Sequence, residues 1–136
     1  MKIAFYKGAY GTVADKVICW STLSSYSHCE ILFSDGMCAS ASYRDKGVRF
    51  KAIQMDHKWD VFDLHVPDCQ EELARAFFNL HEGAPYDILG AVFSSKLWQG
   101  NDRAFYCSEI CGVVLGDFDG RSPKRLLQAL QKRGVV

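Results

Sequence analysis

The sequence is short of proline, of net charge and of long apolar runs, and each shortage excludes something. With three prolines in 136 residues, no repeat and no low-complexity stretch, nothing marks a linker, so residues 1–136 read as one domain. Sixteen basic and sixteen acidic residues cancel to a formal net charge of +0. Overall attraction to nucleic acid or to an anionic membrane is therefore not expected. No segment reaches the roughly 18 apolar residues that a spanning helix needs. The apolar run that follows Met1 and Lys2 is too short for a signal peptide, which makes a cytoplasmic protein the expectation. There is no Gly-rich phosphate loop and no basic stripe interleaved with aromatics, so nucleotide and nucleic-acid roles have no positive support.

What the chain does have is core material: 49% of its residues are hydrophobic and 13% aromatic, enough for one ordinary domain. Six cysteines without a secretory signal read as reduced thiols, several of them small core residues. Alternation predicts strands over 2–6, 28–33, 37–43, 47–54 and 59–66, with Ser34-Asp35-Gly36 as a hairpin turn. Helical spacing of Val13, Val17 and Trp20 predicts an amphipathic helix from Thr12, in a near capping box with Asp15, to about Leu23. Further helices are expected from Asp68, with Glu71 completing its cap, to His81, over Tyr86–Phe93, from Cys107 to about Leu115, and from Ser122-Pro123 to Gly134. Strands cluster early and helices late. The fold class is therefore α+β, with an antiparallel sheet of about four to five strands packed against helices.

Two short segments carry the chemistry: Ser27-His28-Cys29-Glu30-Ile31-Leu32-Phe33 and Tyr106-Cys107-Ser108-Glu109-Ile110-Cys111-Gly112. On a strand, Cys29, Ile31 and Phe33 share the core face, which sends His28 and Glu30 together to the other side. There Glu30 can orient the imidazole or raise its basicity. Cys107 opens an apolar helix, and unpaired N–H groups at a helix start stabilise a thiolate. A thiol nucleophile and its base need such a pair. Read without each other, Cys107 is one more small core residue and His28 and Glu30 are a half-exposed strand face. Cys107 and Cys111 with His28 are a poor zinc set, because Ile110 and Val114 flank them and no second pair has ligand spacing. No metal and no cofactor are expected.

These segments, taken with Gly83-Ala84-Pro85-Tyr86-Asp87 and Tyr43-Arg44-Asp45-Lys46-Gly47-Val48-Arg49, resemble the circularly permuted NlpC-type papain-like superfamily. The likeness is to YiiX-like permuted amidases and, more distantly, to lecithin retinol acyltransferase-like enzymes, and its motifs run over most of the chain. The resemblance implies a permuted papain-like fold with the histidine before the cysteine, Cys107 as nucleophile at a helix N-terminus and His28 as general base. It implies a polar residue on the strand after the histidine strand, where Ser40 is the polar side chain between Ala39 and Ala41, and Glu30 is the alternative orienter. Tyr86 is implied as a residue lining the site. By resemblance the substrate is a peptide or cell-wall amide, or a thioester. A lipid acyltransferase with the same dyad and a non-catalytic binding protein on the same scaffold are the alternatives. Small proteins of this kind are often phage-encoded, and for such a protein the resemblance implies a host-protein partner.

Overall fold

The computed structural model describes residues 1–88, 104–116 and 118–136. Strands β1 (Lys2–Lys7), β2 (Tyr26–Leu32), β3 (Met37–Ser42), β4 (Gly47–Ala52) and β5 (Trp59–Asp63) form one sheet in the order β4-β3-β2-β1-β5. Every pairing is antiparallel, so the chain is α+β with a five-stranded antiparallel sheet. A short 3-10 turn (Gly8–Tyr10) and helix α1 (Val13–Thr22) join β1 to β2. Helices α2 (Cys69–His81), α3 (Cys107–Val114) and α4 (Pro123–Lys132) follow the strands. Among the described residues no helix is long and apolar enough to cross a membrane.

The sheet has a core face and a polar face, as period-two alternation requires. Ile3 and Phe5 on β1, Cys29 and Ile31 on β2, Ala39 and Ala41 on β3 and Val48 on β4 are buried on the core face. They meet Phe78 of α2, Ile110, Cys111 and Val114 of α3, and Leu126 and Leu130 of α4. Leu126 and Leu130 are wholly buried, and each side chain of this kind contributes about 1.5–3 kcal/mol by leaving water. Helix α4 starts as its sequence dictates: the Ser122 hydroxyl accepts from the Arg125 N–H at 3.3 Å, and Pro123 occupies the first turn.

Four expectations need correction. Strands β4 and β5 end at Ala52 and Asp63, short of the residues that alternation alone includes. Val13 and Trp20, the stripe predicted to face the core, are 76% and 81% exposed. The helix instead docks through Asp15, whose carboxylate accepts from the Thr12 N–H (2.7 Å), the Ser27 hydroxyl (2.9 Å) and Arg44 (2.5 Å). A buried carboxylate must be satisfied, and satisfying Asp15 against β2 turns the apolar stripe outward. Glu71 does not cap α2: it binds the Ser34 N–H at 3.0 Å, the Ser34 hydroxyl at 2.7 Å and Arg75 at 3.0 Å. Tyr86 lies in an extended bridge beside Phe105 rather than in a helix, and the rest of the predicted Tyr86–Phe93 helix lies, from residue 89 on, outside the described residues.

Candidate active site

The site forms where β2 and β3 part. Their pairing consists of Ile31 with Ala39 and Leu32 with Cys38, whereas β1 stays paired to β2 as far as Tyr26, and β4 to β3 as far as Ser42. Toward Cys29 and His28 the two strands therefore splay. Cys107, the first residue of α3 and 3% exposed, packs at this opening. The Cys29 thiol, then the His28 ring and the Cys29 backbone, are the groups that act on its sulfur. The splay explains how residues from opposite faces of one strand, His28 and Cys29, both reach the same sulfur.

The entry to α3 is fixed by a short run of backbone bonds. Phe105 N–H donates to Pro85 at 3.1 Å and Asp87 N–H to Phe105 at 3.0 Å, which ties Tyr86 to the residues just before Cys107. The Pro85 segment is itself held against β4, where Val48 N–H donates to Ala84 at 2.9 Å. Gly47 is required there, since a Cβ on it would collide with the Ala84 carbonyl. Burial first, then the charge on the Cys107 sulfur, keeps the Tyr86 phenol protonated far above its usual range. On the other side of α3, the Ser108 hydroxyl donates to the Gly120 carbonyl at 2.7 Å.

His28 Nε2 lies 2.7 Å from Glu30 Oε1. Glu30 is 0% exposed and is also gripped by Arg49, with Nη1 to Oε2 at 2.7 Å and Nη2 to Oε1 at 2.6 Å. Arg49 Nε in turn donates to Asp45 at 2.8 Å, and Lys51 reaches the same carboxylate at 2.9 Å. Sheet register makes this possible. Ala4 stands opposite Glu30 on β1, Ser40 stands opposite Arg49 on β4, and β3 lies between β2 and β4. A small side chain at Ser40 leaves room for the guanidinium to cross β3. Ser40 itself is 0% exposed, with its hydroxyl 3.4 Å from the Ala41 carbonyl, so it offers a substrate no surface and does not orient His28.

The electrostatics follow from these contacts. Burial alone would lower the basicity of His28, but the Cys107 charge and then Glu30 outweigh it and raise the pKa from 6.5 to about 10. The hydrogen bond from Cys29 is the largest cause holding Cys107 well below its ordinary 9.0. Burial opposes it, and the imidazolium adds to it. Burial would raise Glu30, yet the Arg49 hydrogen bonds, followed by His28, keep it ionised below its usual 4.5. Cys107, His28, Glu30, Arg49, Asp45 and Lys51 thus stand in a row in which the shifts of Cys107, His28 and Glu30 all favour alternating charge.

His28 is 18% exposed and opens on a cavity of about 70 Å³ lined by Tyr6, Asp15, Ser27, Arg44, Trp59 and Tyr86, among others. The Trp59 ring stands edge-on to the imidazole, with centroids 6.3 Å apart. Tyr86 also borders a larger apolar groove of about 390 Å³ with Val13, Val17, Tyr43 and Ile88. Among the described residues no group of three or more His, Cys, Asp or Glu side chains is placed to hold a metal ion.

Of the residues singled out in the sequence, the structure brings His28, Glu30, Cys107 and Tyr86 together and leaves Ser40 buried within the sheet. Sequence reasoning missed Arg49 and Cys29. Alternation along Gly47–Ala52 puts Arg49 on the polar face, opposite to Val48 and Phe50, but only the register across β3 shows that it meets Glu30. Cys29 was read as core alone. Comparison with family models, curated proteins and solved structures finds no match for the chain.

Proposed function

We propose that the protein is a cysteine hydrolase that cleaves an amide, of peptide or cell-wall type, or a thioester through an acyl-enzyme on Cys107. The observation that carries the reading is the buried row in which Arg49 holds Glu30 at 2.6 Å and Glu30 holds the His28 ring at 2.7 Å, with Cys107 packed at the same opening at the start of α3. Burying a carboxylate wholly costs desolvation, and groups with strongly shifted pKa values cluster at functional sites.

In the cycle, the Cys107 thiolate attacks the carbonyl carbon and the oxygen takes up the negative charge. The Cys107 N–H, at the start of a helix, and the Tyr86 hydroxyl are the donors for that oxyanion. The tetrahedral intermediate collapses as His28 gives its proton to the leaving amine or thiol. Water then enters, His28 accepts its proton, the hydroxide attacks the thioester, and Cys107 departs as thiolate with His28 again protonated. Glu30 keeps the ring oriented with Nε2 engaged, and Arg49 holds Glu30 in place. In this reading the chain has a permuted papain-like arrangement, since the base on β2 precedes the nucleophile on α3.

A second reading, acyl transfer from a lipid, draws support from the apolar groove that shares Tyr86 with the site. The two separate by acyl chain length. Short-chain and peptide substrates turned over as well as long-chain esters favour the hydrolase, and turnover that climbs with chain length favours the transferase.

The test is a screen of wild type against Cys107→Ala on peptides, acyl thioesters and cell-wall fragments, with intact-mass detection of the acyl-enzyme. Turnover and a covalent adduct lost together in the variant are expected. No adduct and no turnover on any class would leave a binding protein as the better account.

A further inference from the structure

His28 lies between two cavities, and one guanidinium borders both. The cavity of about 70 Å³ and a second of about 190 Å³ share His28, Ser42, Arg44 and Trp59. Topology puts Arg44 there. Continued in the register of Ile31 with Ala39, the ladder of β2 and β3 would set His28 opposite Ser42, and Arg44 follows in the turn between β3 and β4. The strands part at this point, which leaves Arg44 beside the opening.

Arg44 is fixed in place with donors to spare. Its Nη2 donates to Asp15 Oδ2 at 2.5 Å, and its guanidinium carbon stands 5.9 Å from the centre of the Tyr6 ring. Asp15 anchors it from the buried side, with a side chain 12% exposed against 58% for Arg44. The Asp15 charge is shared, since the Thr12 N–H, the Thr12 hydroxyl and the Ser27 hydroxyl also donate to it. An arginine carries five N–H donors, and among the described residues Nε and Nη1 of Arg44 have no partner. The neighbouring cations are engaged. Arg49 directs all three of its nitrogens at Glu30 and Asp45, and Lys51 is bound to Asp45. The second cavity therefore sets three cations, Arg44, Arg49 and Lys51, against two carboxylates, Glu30 and Asp45.

We propose that Arg44 is a specificity-determining residue that binds a carboxylate of the substrate, so that the chain acts on acidic peptides. The inference rests on the reading that substrate reacts beside His28, and not on the ionisation of Cys107. A guanidinium offers a carboxylate two parallel N–H groups, a charge-assisted contact with more directionality than a lysine provides. A neutral lipid ester offers Arg44 no such partner. A purely structural Arg44, tying α1 to the turn after β3 through Asp15, predicts no preference for charge.

The experiment labels the full chain with phenylglyoxal and follows each arginine by peptide mass spectrometry. Three protectors are compared: an N-acetylated, C-amidated tripeptide with a central glutamate, the same peptide with glutamine, and the glutamine peptide with a free C-terminus. Protection of Arg44 by one of the carboxylate peptides and not by the neutral one is expected, and which of them protects tells a side-chain carboxylate from a terminal one. Arg125, 55% exposed and also paired with an aspartate, should stay unprotected and serves as the reference. A second measurement takes the ratio of iodoacetate to iodoacetamide alkylation rates at Cys107, in which the ionisation of the thiol cancels. The ratio should fall about tenfold in Arg44→Gln, the scale of a hydrogen bond to a charged group, and should hold in Lys16→Gln, which removes the same charge from the exposed side of α1. Arg44 labelling that no carboxylate slows, or that the neutral peptide slows equally, overturns the proposal, as does a ratio unchanged in Arg44→Gln. Should that variant fail to fold, protection in wild type decides. Cys107 that reacts with neither reagent sinks the hydrolase reading, whereas the protection result still decides the anion site.

Discussion

Replacing Arg49 by methionine removes both hydrogen bonds to a carboxylate that is 0% exposed, and leaves Glu30 with His28 as its remaining charged partner in the row. Breaking a buried pair from one side costs about 3–5 kcal/mol, because the stranded charge stays out of water. Glu30→Gln is milder. It leaves Arg49 bound to Asp45 at 2.8 Å and the amide able to accept one bond, so a loss of about 1–3 kcal/mol is expected. The double variant strands neither charge, and its cost should fall short of the sum of the two singles by more than about 1 kcal/mol. Urea unfolding at pH 7, followed by tryptophan fluorescence and repeated at lower pH, measures all four corners of the cycle. The sign of the pH dependence is fixed by the depressed folded-state pKa of Glu30. Its contribution is fully present above 4.5 and is lost as pH falls through the lower folded value. In Arg49→Met the stranded carboxylate takes a proton more readily, so the gap to wild type narrows in acid. Additive single variants, or an Arg49→Met cost below about 1 kcal/mol, would refute a buried ion pair that carries strain-free charge into the core.

Three further outcomes are expected. Burial would raise Glu71, but Ser34, Arg75 and the N-terminal ammonium bring it from 4.5 to about 2; Glu71→Gln should therefore lose about 1–3 kcal/mol at neutral pH, with wild type and variant converging as pH drops from 4.5 through about 2 in acid unfolding curves. Ser122→Ala removes the cap of α4 and should lower stability by about 0.5–2 kcal/mol in thermal unfolding, whereas Ser122→Asp should recover most of it. A Cβ on Gly120 would press on the Ser108 carbonyl and lie 2.7 Å from the Glu109 Cα, so Gly120→Ala should cost about 1–3 kcal/mol and, by shifting the first turn of α3, slow alkylation of Cys107.

Local signals carried the fold a long way, and the misses share a cause. Alternation placed all five strands, and cap chemistry placed the starts of α1 and α4, because those signals act over a few residues. Alternation also put His28 and Glu30 on one face of β2. It could not show that Arg49 locks Glu30, since that depends on the register of β3 against two neighbours, nor that β2 and β3 splay to let Cys107 reach both faces of one strand. The stripe of Val13, Val17 and Trp20 misled because a single buried carboxylate, Asp15, decides how α1 docks. Glu71 misled likewise: a sequence position three residues after Asp68 reads as a cap, while Ser34 from a distant turn and Arg75 one turn along the same helix claim its side chain.

The central claim is that Cys107 rests as a thiolate paired with the His28 imidazolium. The pH dependence of its iodoacetamide alkylation, quantified peptide by peptide in wild type and in His28→Ala, tests this most directly. In wild type the rate should rise with a midpoint well below 9.0, and Cys107 should outpace Cys19 and Cys111 at pH 7. In His28→Ala the midpoint should move upward, toward that of an ordinary thiol. A wild-type midpoint near 9.0, or one that ignores the loss of His28, would contradict the account.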